Sequence, residues 1–268
     1  MSLLLDERQH AMLQEMGVRL FQTHSHSGCI DGTPPEPPRQ AGGKPALAAG
    51  GEARAPMLVA QETRLVVTSL VPAAPGIELM EWDMLAQTVA QCRACALCNG
   101  RRNTVFGSGD RQADWLIVGA APGENEDLQG EPFVDQAGQL LDNMLKALGL
   151  NRRQNVYIVN ALKCRPPGNR NPEPGELAQC ELFLRRQVDL LRPRIILAMG
   201  RFAVQALLQS NEPIGKLRGH VHRYNNVPLV VTYHPADLLR NLPEKAKAWA
   251  DLCLALEVVQ QPLSPSVG

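Results

Sequence analysis

Trp115-Leu-Ile-Val-Gly-Ala-Ala-Pro-Gly123 is the stretch on which the fold turns. Trp115–Val118 is an apolar run without alternation, and it ends in a loop bounded by Gly119 and Gly123. A run that short, closed by Gly and Pro, reads as a strand buried on both faces. Val156–Val159, Ile195–Ala198 and Leu229–Thr232 repeat the pattern. Helical patterns separate the four at about 137–149, 174–191, 201–209 and 243–259, and 83–97 looks helical ahead of the first. Strands alternating with helices imply an α/β fold, a four-stranded parallel sheet covered on both faces. No internal repeat is found. In such sheets ligands bind beyond the carboxyl ends of the strands. The unusual residues lie there: Gly119–Gly123 after the first strand, Asn160 at the end of the second, His234-Pro235 after the fourth.

Ahead of this domain, expected over 81–260, the chain changes character. Met12, Leu13, Met16, Leu20 and Phe21 mark a short amphipathic helix within 1–24. Residues 28–57 hold 6 Gly and 6 Pro and few bulky apolar groups, so 25–80 reads as a mostly disordered linker in which Val66–Val71 is strand or extended. Residues 261–268 form a tail. The charges, zero in sum, divide as −4 over 1–91 and +4 over 92–268, a weak bias of the second part toward an anionic partner. No apolar run reaches the ~18 residues of a membrane span. The start, MSLLLDERQH, lacks the basic head and apolar stretch of a secretory signal. A cytoplasmic protein is expected, in which thiols stay reduced and seven cysteines call for another use.

Metal binding is that use. Cys92-x2-Cys95 lies at a helix end, Cys164 just past the second strand, and Cys180 in the next helix. Two thiolates from one turn and two from a second segment make a four-thiolate site, which suits zinc or an iron–sulfur cluster. Cys98 forms a second CxxC with Cys95, so a Cys92/Cys95/Cys98 site also fits the spacing. Cys29 and Cys253 read as plain thiols.

Several segments together resemble one family. They are Cys92-x2-Cys95, Val105-Phe-Gly-Ser-Gly109, Val118-Gly-Ala-Ala-Pro-Gly-Glu-Asn-Glu-Asp127, Gly130-Glu-Pro-Phe-Val134, Asn160-Ala-Leu-Lys-Cys-Arg-Pro-Pro167, Cys180, and His234-Pro-Ala-Asp-Leu-Leu-Arg240. Their order and spacing resemble the family-4 uracil-DNA glycosylases across about residues 85–258. The resemblance implies a three-layer α/β/α sandwich and hydrolysis of the N-glycosidic bond of uracil in DNA. It also implies a four-iron, four-sulfur cluster rather than zinc, on Cys92, Cys95, Cys164 and Cys180, leaving Cys98 out.

The chemistry of base excision gives the residues roles. The base must leave the stack and be read in a pocket. Phe133 supplies a stacking face, and Asn160 a carboxamide whose donor and acceptor match uracil's edge. His234, with backbone N–H groups of Gly119, Ala120 and Ala121 nearby, is placed for the negative charge that develops at uracil O2. Glu126 and Asp127 match the family's acidic pair and are expected to orient water and face the sugar's positive charge. Lys163, Arg165, Arg170, Arg218 and Arg240 are the DNA-gripping cations, and Leu238 and Leu239 the wedge for the vacated stack. The family pattern Gly-Glu-x-Pro-Gly has Ala120 at its carboxylate here, and Phe-Val-Gly has Asp135 at its glycine. Asp135 either repels DNA or replaces the missing carboxylate. The alternatives are thus a non-catalytic DNA-binding module, or a glycosylase for another deaminated base. Met12–Val18 is similar, over a short match, to the first helix of the psi subunit of the bacterial polymerase III clamp loader. That implies docking of residues 3–22 to a replication protein on a flexible leash.

Overall fold

The structure, a computed structural model, describes residues 76–261. The helix expected over 1–24, the linker up to residue 75 with Cys29 and Val66–Val71, and the tail from 262 onward lie outside the described residues.

The four apolar runs become the centre of a six-stranded sheet. In chain order the strands are β1 (Ser108–Gly109), β2 (Trp115–Gly119), β3 (Val156–Asn160), β4 (Ile195–Met199), β5 (Val221–Tyr224) and β6 (Val227–Thr232). Their spatial order is β1-β3-β2-β4-β6-β5. β3, β2, β4 and β6 are parallel, while β1 and β5 close the edges antiparallel. The expected four-stranded sheet is therefore its core. β1 is too short to leave a pattern, and β5 (VHRY) is polar and mostly exposed, as an edge strand is. Its hairpin has a readable sign: Asn225 and Asn226 both sit at positive φ, as a two-residue turn between twisted strands requires.

The helices are α1 (Trp82–Gln91), α2 (Glu124–Gln129), α3 (Gln136–Ala147), α4 (Pro174–Leu191), α5 (Arg201–Leu208), α6 (Ile214–Leu217), α7 (Pro235–Arg240) and α8 (Glu244–Gln260). α1 stops at Cys92, its C-cap, instead of running on to residue 97. Alternate strand residues split into two cores. Ile117, Ile158, Leu197 and Val230 pack with α3, α7 and α8, while Val118, Val159, Ala198 and Val231 pack with α4 and α5. This is the expected three-layer α/β/α arrangement. No helix among the described residues is long and apolar enough to cross a membrane.

Register brings the chemistry together. Gly119 pairs with Asn160, and Met199 with Thr232, so β2, β3, β4 and β6 end along one edge of the sheet.

Candidate functional site

Asn160 ends β3 and is 1% exposed. Its Nδ2 donates to Glu126 Oε2 at 3.2 Å, which fixes which end of the amide is the donor. Its Oδ1 faces Gly119, where a Cβ would stand 2.3 Å from that oxygen and 2.7 Å from the Phe133 ring. Glycine is needed there because the two functional side chains occupy the space of any side chain.

Phe133 has φ 56°, a strained left-handed conformation for a bulky residue. Three contacts hold it. Its N–H donates to Glu126 Oε1, its carbonyl accepts from Arg152 Nη2 at 3.0 Å, and Gly138 of α3 packs on that carbonyl where no Cβ would fit. Strain at this level occurs where surrounding structure enforces it, commonly at functional sites. The Phe133 ring stacks on His234, centroids 5.3 Å apart and planes 24° apart.

His234 is the N-cap of α7, and its Nδ1 accepts the Ala236 N–H at 3.2 Å. The ring proton therefore sits on Nε2. Burial pushes its pKa down to about 4, so the imidazole is neutral at physiological pH.

Glu126 is 9% exposed. Besides Asn160 and Phe133 it accepts the Gly123 N–H at 3.1 Å as the capping box of α2. Burial raises its pKa, opposed by those hydrogen bonds. All its bonds run to the pocket's framework, where it holds Phe133 and Asn160. Asp127 is not brought to this group. Its carboxylate accepts the N–H groups of Arg102 and Asn103, and it ties that loop to α2.

A cleft of about 600 Å³ opens beside this cluster, walled by Ala120, Ala121, Gly123, Asn169, Arg170 and His234. The Gly119 and Ala120 carbonyls accept the N–H groups of Ala161 and Leu162 and so extend the β2–β3 pairing into the loop. Asp135 accepts from Asn125 Nδ2 next to Gly123. Among the expected DNA contacts, Arg170 and Arg240 line the cleft, and each is paired: Arg170 with Glu176 at 2.6 Å, Arg240 with Asp237 at 2.6 Å. Arg165 pairs with Glu124 at 3.3 Å. Leu239 is 40% exposed.

Three residues expected at the DNA surface are corrected. Leu238 is fully buried in the core under α7 and cannot act as a wedge. Arg218 pairs with the buried Asp251 at 2.8 Å, away from the cleft. Lys163 is 1% exposed. It donates to Asn160 O (2.9 Å), Gln187 Oε1 (2.7 Å) and Phe106 O (3.4 Å), and burial pushes its pKa down to about 7.

Behind the β3 end lies a second, enclosed pocket. Cys92, Cys95, Cys98, Cys164 and Cys180 all line it, with Lys163 and Arg101. Arg101 Nη1 donates to Cys164 Sγ at 3.1 Å, and the Cys98 thiol turns to Asn99. Burial raises the pKa of Cys95 and Cys164 and pushes Cys180 up to about 12, and neighbouring sulfurs add to each shift. Among the described residues, no three Cys, His, Asp or Glu side chains converge tightly enough for a single metal ion. A tetrahedral zinc draws four sulfurs to ~2.3 Å of one point, whereas a cluster takes one thiolate per iron and suits a wider ring. The two cations beside the crowded thiols favour the thiolate form, in which sulfur binds metal. Arg101, Arg152, Gln187 and Gly138 had no mark in the sequence. Arg101 meets Cys164, Arg152 the Phe133 carbonyl and Gln187 the Phe106 carbonyl, at separations of 63, 19 and 81 residues, and Gly138 faces the Phe133 carbonyl. Cys253 lies in α8, against the other core.

A family model described as the uracil DNA glycosylase superfamily matches residues 106–253. The chain is similar to a type-4 uracil-DNA glycosylase of Saccharolobus solfataricus, 42% identical over 170 residues, 60% of this chain and 78% of the relative. It is similar to another of Thermotoga maritima, 41% identical over 166 residues, 61% of this chain and 85% of the relative. A type-5 uracil-DNA glycosylase of Thermus thermophilus is 31% identical over 160 residues, 48% of this chain and 73% of the relative.

Proposed function

The chain belongs to the uracil-DNA glycosylase superfamily, and on that premise we propose that it excises uracil from DNA by hydrolysing the bond between base and deoxyribose. The observation that carries the reading is the fixed Asn160 amide beside a neutral His234. With one Nδ2 hydrogen held by Glu126, the other is free for uracil O4 and Oδ1 for uracil N3–H. Cytosine presents a donor and an acceptor in the reversed order, so both contacts oppose it, and a site built this way rejects the wrong edge strongly. As the bond breaks, charge gathers on uracil O2, and His234 Nε2–H donates to it without carrying charge itself. Leaving-group stabilisation is thus the main lever, and Ala120 leaves that lever intact. Phe133 stacks on the extruded base, and Leu239 and the paired arginines meet the strand.

Cys92, Cys95, Cys164 and Cys180 would hold the iron–sulfur cluster, which supplies a fixed cross-link between the 92–98 and 164–180 segments. Residues 3–22 are proposed to dock a replication protein; unchanged partner recovery after deletion of residues 1–25 would defeat this. The activity is tested with oligonucleotides holding one uracil, hypoxanthine or xanthine, then alkali. Cleavage at uracil is expected. DNA binding with no cleavage at any base would favour a binding module, the reading that Ala120 invites. Cleavage at hypoxanthine or xanthine alone would reassign the substrate.

A further inference from the structure

We propose that Lys163 is a positioning residue that couples the sulfur pocket to base recognition: its ammonium is the counter-charge of the cysteines, and it holds the Asn160 carbonyl. The inference rests on the reading of Asn160 and of the cluster given above. Lys163 is 1% exposed. Its three N–H bonds are all taken, by Asn160 O, Gln187 Oε1 and Phe106 O. Gln187 is itself fully buried and gives its Nε2–H to Phe106 O at 2.9 Å, which leaves Oε1 toward the lysine. The hydrogen bonding is complete, yet every acceptor is neutral. A buried charge without an opposite charge is costly, by several kcal/mol. Lys163 lines the pocket with Cys92, Cys95, Cys164 and Cys180, so cysteines in their thiolate form are the opposite charge the pocket can offer it. One residue therefore lines the sulfur pocket and holds the base-reading residue at its side-chain tip.

This gives the sulfur pocket a second role. Thiolates in that pocket would set negative charge beside the ammonium that clamps the end of β3. The test is Lys163→Met in the full chain, prepared with its iron. Iron and sulfide content should match wild type. The cluster's reduction potential should move negative, because a positive charge that favours the added electron is gone. The kcat for uracil excision should fall about tenfold, the scale of one lost hydrogen bond, with DNA affinity unchanged. An unmoved potential would overturn the counter-charge, and an unmoved kcat the positioning role. Should Lys163→Met fail to fold, Gln187→Met removes one holder and keeps the charge: kcat should drop several-fold at a constant potential, and an unchanged kcat overturns the proposal. Wild-type protein without iron overturns it outright. Wild-type protein with iron but no excision defeats the functional reading instead, and the potential of Lys163→Met still tests the counter-charge.

Discussion

Around Asn160 the chain anchors each functional residue. Glu126 takes one bond each from Asn160, Phe133 and Gly123, and Ala236 donates to His234. Four residues further on, around Cys164, the sulfurs crowd and raise one another's pKa. The base-reading side chains are held in place by bonds within the polypeptide, whereas the sulfur pocket gathers thiols with few such bonds. The difference teaches that adjacent sites can be preorganised by opposite means. One is a hydrogen-bond network that fixes each side chain and leaves its remaining groups for the base. The other is a set of like groups whose mutual cost would fall on binding the proposed cluster.

If the two regions differ in this way, damage to each should read out differently. His234→Ala should cost the most, on the order of 10²–10³ in kcat as for a lost oxyanion donor, with iron content unchanged. A loss below tenfold would remove His234 from its role. The same residue predicts an acid-side stability slope. Its folded pKa, about 4, lies below the unfolded value near 6.5, so the unfolded chain takes up the proton first. Stability should fall as pH drops from 6.5 to 4, and His234→Ala should flatten that slope in urea titrations. Gly119→Ala comes next, at about 100-fold in kcat/KM, since its Cβ would displace Asn160 and Phe133. Normal iron content there would show the pockets to be separable. Cys164→Ser breaks the comparison from the other side. It should lose the brown colour and its iron, lower the thermal midpoint, and reduce excision roughly tenfold through the loosened β3 end. Retained iron would contradict the ligand set.

Glu126→Gln should lower kcat about tenfold, because its amide nitrogen must face an N–H donor. Rates equal to wild type would mean Asn160 is oriented by other contacts. The smallest effect is at α7. Leu239→Ala should slow excision from duplex a few-fold and leave single strands untouched, since only a duplex has a gap to fill. Leu238→Ala should leave both rates alone and cost ~2–5 kcal/mol of stability, read from denaturant midpoints.

That last pair also shows where sequence reading stops. The central strands were legible because a short apolar run has few other uses, and Gly119, Asn160 and His234 because each is out of character at a strand end. Leu238 and Leu239, or Glu126 and Asp127, are neighbours of the same type on short helices. One residue turns a helical side chain by roughly 100°, so the members of each pair point different ways: Leu238 into the core and Leu239 outward, Glu126 to Asn160 and Asp127 to the Arg102–Asn103 loop. Lys163 was misread for a related reason. A lysine in a loop rich in arginine looks like a surface charge until Gln187 and Phe106, distant in sequence, are seen to enclose it.

The arginines at the cleft carry one more consequence. Arg165, Arg170 and Arg240 each hold a carboxylate of this chain. When a phosphate takes such an arginine, the freed Glu or Asp collects a cation from solution, and this offsets the cation that the phosphate gives up. Cations driven off the nucleic acid are what make binding weaken with salt, nearly one unit of log–log slope per neutralised phosphate (about 0.9). A protein whose arginines are already partnered should grip DNA with a shallower salt dependence than its arginine count suggests, and keep that grip as ionic strength rises.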